Sequence, residues 1–135
     1  MAGRPGHTVQ PVDAFDLPDW VGVEQVTWRA SSSLGGSHRV TGALQESNGG
    51  SGAELGCDVL ACDPAYPQPV LSEAWRHDAH QAWALGEVLI VSQDGRLTLV
   101  FPGTVVTAVP TLEAVRRLAR AVGSKPDRFT VAFRL

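Results

Sequence analysis

The sequence is short of the features that usually announce a chemistry. Its 135 residues hold two cysteines, Cys57 and Cys62, one methionine and one tyrosine. Two cysteines cannot build the framework of a disulfide-rich secreted scaffold. No apolar run approaches the ~20 residues of a membrane-spanning helix; the longest, Val88–Val91 and Leu97–Phe101, are of strand length. The first residues carry one arginine with no apolar segment behind it, unlike a signal peptide. These absences predict a cytoplasmic protein with no membrane association.

Motifs of catalysis are scarce as well. Ser31, Ser32 and Ser33 lack the strained strand-to-helix elbow of a nucleophilic serine and read as a turn. Gly35-Gly36 and Gly49-Gly50 lack the preceding strand and following helix of a phosphate loop. Cys57, Cys62, His77 and His80 are all zinc-binding residue types. The two cysteines, however, lie five apart on one expected strand, with no turn residue in Asp58-Val59-Leu60-Ala61. They point to opposite faces and read as buried strand cysteines. No metal and no cofactor is expected.

What is present is globular composition, 44% hydrophobic and 19% charged, in a length that suits one domain. Residues 1–20 read as a proline- and glycine-broken tail, with Phe15, Leu17 and Trp20 as anchors for the core or for a partner. Residues 21–135 read as a single α+β domain. Strands are expected at Val21–Ala30, His38–Gln45 and Glu54–Cys62, forming an antiparallel meander with a flexible loop at Ser47–Gly52. Asp63–Pro69 holds three prolines and excludes regular structure.

Ser72 caps a helix with Glu73 in its first turn, and Gly86 ends it. Its apolar stripe is Leu71, Trp75, Ala79, Ala82 and Trp83. Trp75, His77, Ala79 and Trp83 also alternate, but the alanine content favours a helix. Glu87–Gln93 and Arg96–Phe101 flank Asp94-Gly95, the strongest hairpin signal in the chain. Thr104–Val109 reads as a short additional strand. Thr111 opens a second helix with the stripe Leu112, Val115, Leu118, Ala119 and Val122, closed by Gly123. A last strand carries Phe129, Val131, Phe133 and Leu135 on one face. The order βββ-α-ββ(β)-α-β predicts an α+β fold, a mostly antiparallel sheet with two helices packed on one face.

Two clusters are candidates for function. His77, Asp78 and His80 form the densest titratable group, and Trp75 or Trp83 would wall a ligand pocket or enzymatic site beside them. The other candidate follows from charge. Residues 1–95 carry a net −8 and residues 96–135 a net +5. Within the basic part, Arg116, Arg117 and Arg120 lie together, off the apolar stripe. They point to a non-enzymatic protein-interaction domain, of accessory, chaperone-like or inhibitor/immunity-like kind, with an acidic partner. Nucleic acid is the weaker reading, because Phe129 and Phe133 are committed to the core and the chain is acidic overall. A homodimer would follow if the last strand lies at a sheet edge.

Overall fold

The computed structural model describes residues 9–47, 52–64 and 70–134. The expected loop at Ser47–Gly52 and the proline segment Asp63–Pro69 fall largely outside these residues, as do the first eight residues and Leu135.

Local chemistry decides the best-anticipated elements. Asp94 and Gly95 both take positive φ, 54° and 83°, the geometry of a tight turn whose twist matches its strands. They join β6 (Leu89–Gln93) to β7 (Arg96–Pro102). The Ser72 side chain accepts from the Trp75 backbone N–H and starts α2 (Glu73–Ala84), and Gly86 ends it at φ 86°. The meander also forms. The strands β2 (Val26–Ala30), β4 (Gly42–Glu46) and β5 (Glu54–Cys62) are neighbours in that order. The second expected strand is split, because β3 (Arg39–Val40) precedes β4 with a break at Thr41. Both pieces keep one line against β5, with Arg39 opposite Leu60 and Leu44 opposite Leu55.

Three expectations are corrected. Val21–Val23 is not strand but part of α1 (Asp19–Val23), which follows Pro18 and has Asp19 in its first turn. Proline followed by an acidic residue is a helix-start signal. Thr104–Val109 forms no strand, and α3 spans Ala108–Ala121, starting before Thr111. Pro110 sits in its first turn, where a missing N–H costs nothing. Thr111 is therefore inside the helix, buried, and donates its hydroxyl to the Thr107 carbonyl at 2.8 Å. Finally, the two long helices do not share a face. Cys57, Val59 and Ala61 join the core under α3 with Ala114, Val115 and Leu118, while Leu60 and Cys62 join a second core with Ala79 of α2. Strands buried on both faces read as unbroken apolar runs, as 59–62 and 99–101 do.

The result is mixed α/β, with eight strands and three helices among the described residues. The sheet runs β1 (Val9–Pro11), β6, β7, β5, β4, β2, β8 (Phe129–Ala132), with β3 against β5. Five of seven pairings are antiparallel; β5/β7 and β2/β8 are parallel. Residues 9–20 supply β1, and Leu17 and Trp20 pack on the first core while Phe15 stays 77% exposed. At the other end of the sheet, the outer side of β8 has no strand partner among the described residues.

Trp28 is the largest fully buried side chain, and its indole N–H donates to the Cys57 carbonyl at 2.9 Å. Its ring lies over Gly42, where an added Cβ would come within 2.7 Å of a ring carbon. Gly42→Ala should therefore cost about 2 kcal/mol through overpacking, read as a lower urea midpoint at unchanged m-value.

Candidate functional site

The second face of the sheet carries a charge where an apolar strand would be expected to have none. Asp58 lies in mid-β5 with its side chain 1% exposed. Arg39 of β3 donates Nε and Nη2 to its Oδ2. Arg96, the first residue of β7, donates Nη2 to Oδ1 at 2.9 Å and Nε to both oxygens at 3.1 Å. The Gly42 N–H approaches Oδ1 at 3.4 Å, and Arg96 Nη2 also donates to the Gly42 carbonyl at 3.0 Å. Burial by itself would push the Asp58 carboxyl up. The hydrogen bonds and charges of Arg96 and Arg39 outweigh it and hold the group below the usual carboxylate range. One carboxylate between two guanidiniums leaves the cluster with one net positive charge.

Beside this cluster a groove of about 770 Å³ opens between the start of α2 and the Asp94 turn. Leu60, Val70, Leu71, Trp75 and Val9 give it apolar walls. Its polar lining is Arg39, Gln93, Ser72, His38 and Asp94. Gln93, buried to 5% exposure, accepts from Arg39 Nη1 at 2.7 Å.

Of the five residues expected around a histidine pocket, Trp75 lines this groove. His77 and Asp78 are exposed and do not line it. His80 is half-buried with Nε2 3.3 Å from the Cys62 carbonyl oxygen. Trp83 turns to the first core, 5.8 Å from Phe101 by ring centroids. The helix thus distributes the five residues over different surroundings.

The arginines of α3 also separate by role. The Arg117 guanidinium lies 3.7 Å from the centre of the Trp83 ring, a cation–π contact. It bonds Glu113 at 2.8 Å and donates Nη1 to the carbonyls of Trp83 and Glu87 at 2.8 and 2.9 Å. It joins α3 to the end of α2 and is 14% exposed. Arg116 is exposed, and Arg120, 53% exposed, reaches Glu113 only at 3.9 Å.

Cys57 and Cys62 are free, buried and on different faces. Burial pushes the Cys62 thiol up to about 11 and raises Cys57 further, so both are thiols at neutral pH. Among the described residues no three His, Cys, Asp or Glu side chains group as a metal site.

The sequence-based expectations pass over Asp58, Arg39, Arg96 and Gln93. The signal for Asp58 exists: an aspartate inside the apolar run 55–62 must find a cation. The sequence does not say which arginine supplies it. No protein-family model, curated protein or solved structure matches the chain.

Asp58→Asn keeps the shape and removes the charge. It should cost about 2 kcal/mol at pH 7, less than the ~3–5 kcal/mol of a fully buried pair, because Arg39 and Arg96 remain 29% and 45% exposed and rehydrate. The depressed carboxyl stabilises fully above its unfolded value of ~3.9 and loses that contribution as pH falls through the lower folded value. The stability gap between wild type and variant should therefore be widest near neutral pH and close on acidification below pH ~4, measured by urea denaturation across pH.

Proposed function

We propose that this chain is a protein-interaction domain that docks an acidic partner on the outer face of α3. The observation that carries it is the company Arg116 and Arg120 keep. Val109, on the same helix, is 78% exposed, and Leu85 is 70% exposed. Leu85 lies between Trp83 and Glu87, whose carbonyls Arg117 holds, so it sits beside the middle of α3. Arginine is enriched at interfaces and at their hot spots, and the exposed Val109 and Leu85 add apolar area for a partner to bury. Arg117 serves as the strut beneath this surface.

A nucleic-acid partner is less well supported. Phe129 and Phe133 pack on the core and Trp83 is covered by Arg117, so none of these three rings is open to stack on a base.

The test is affinity purification from a lysate of the source cells, with mass spectrometry. Arg116→Glu combined with Arg120→Glu should abolish capture of the partner while changing stability by less than about 0.5 kcal/mol. Capture that persists in the double variant would count against the reading. Arg117 is left intact because its loss would disturb the fold.

A further inference from the structure

We propose that the acidic partner of the α3 face is a second copy of this chain, bound about a two-fold axis so that the segment carrying Asp13, Phe15 and Asp16 in each copy meets α3 of the other. The inference rests on the docking surface proposed for α3 and names its partner.

Phe15 carries the inference. It is 77% exposed, although Leu17 and Trp20 of the same segment pack on the first core. Its backbone is nevertheless fixed. The Asp13 side chain accepts from the Phe15 N–H at 3.0 Å. The Asp16 and Leu17 N–H groups donate to the carbonyls of Asp13 and Ala14 at 2.9 and 3.3 Å. A short 3-10 turn, Ala14–Asp16, therefore holds the ring out in water. An exposed aromatic side chain on a fixed backbone is a preorganised anchor, and a partner that covers it loses little entropy in ordering the segment.

The charges around this anchor are those the α3 face calls for. Asp16 and Asp19 are exposed and form no ion pair among the described residues. On α3, Arg116 is exposed and Arg120 reaches Glu113 only at 3.9 Å. Glu113 is itself held by Arg117 at 2.8 Å, which leaves Glu87 as the like-charged group on the α3 side. The carboxylates of Asp13, Asp16 and Asp19 thus meet two guanidiniums and one carboxylate, a net attraction.

The two surfaces adjoin on one molecule, as a closed pair requires. A hollow of about 630 Å³ beside Arg120 is lined by Asp13 and Ala14 of the turn together with Gly86, Val88 and Ala121. Phe15 follows Ala14 in the chain, and Leu85, 70% exposed, precedes Gly86. A two-fold axis through this boundary brings Phe15 of each copy to the hollow and Leu85 of the other, and Asp16 to Arg120, twice over. Anchor and hollow side by side make a self-complementary patch, which closes with two copies.

The experiment is analytical ultracentrifugation of the purified full chain. The wild type should dimerise reversibly below millimolar concentration. Phe15→Ser, Asp16→Lys and Arg120→Glu should each weaken the dimer at least about tenfold. All three positions are exposed, so the melting temperature of dilute chain should be retained. Asp16→Lys and Arg120→Glu chains mixed in equal amounts should recover the dimer, because the mixed pair opposes unlike charges at both contacts and each variant alone opposes like charges. The proposal is overturned by a wild type that stays monomeric at millimolar concentration, by a dimer indifferent to the three substitutions, or by a mixture that stays monomeric. A monomeric chain that still captures an acidic protein through Arg116 and Arg120 removes this inference and keeps the α3 reading. Failed capture together with a dimer that ignores Arg120→Glu removes both.

Discussion

A single carboxylate organises the middle of this sheet. Asp58 is bonded by an arginine from β3 on one side and by another from β7 on the other, and it also meets the Gly42 N–H at the start of β4. Those contacts fall where the ladder between β5 and its neighbour is broken at Thr41. A one-residue slip of β5 would turn Asp58 into the first core, among Trp28, Val59 and Leu99. An unpaired charge there would cost several kcal/mol at about the scale of the whole fold's stability. The pairing therefore excludes the alternative register more than it adds attraction, since desolvation consumes much of what a buried ion pair gains.

Two cores follow from that central strand. The first takes α1 and α3, with Trp28 and Phe101 at its centre. The second is smaller, and α2 covers only part of its face. Arg117 ties the two helical layers together at the end of α2 by stacking on Trp83 and holding the carbonyls of Trp83, in its last turn, and of Glu87, just beyond it. Because α2 leaves part of the second face open, the polar cluster around Asp58 lies beside a concavity instead of under a helix.

Local signals were legible where local chemistry decides. The Asp94-Gly95 turn, the Ser72 cap, the Gly86 stop and the β2–β4–β5 meander could all be read from residue types a few positions apart. The layering was harder. Leu60 and Val100 interrupt the alternation of their strands, and that interruption means cover on both faces. Reading only the alternating residues places both helices on one side. The arginines show the limit most clearly. Arg116, Arg117 and Arg120 are equivalent in sequence, yet one is a strut and two face solvent, because only Arg117 reaches Trp83. The groove residues come from β1, β3, β5, α2 and the hairpin, and no spacing rule joins Arg39 to Gln93 or to Trp75.

The parallel pairing of β8 with β2 has a kinetic side. Thr27 and Thr130 share a hydrogen bond across 103 residues of chain, at 2.8 Å. In synthesis, β2 emerges early and can pair at once with β4, but its other edge waits until nearly the whole domain has been made. Long-range parallel pairing of this kind is slow, since the loop entropy is spent before any contact rewards it. During that interval the β2 edge is an open template for other chains. The first side chain on β2 after its opening valine is Thr27, a small polar group, and the next on the same side of the strand is Arg29, which is exposed. A charged, polar outer row on a strand that must wait disfavours its pairing with the edge of another chain.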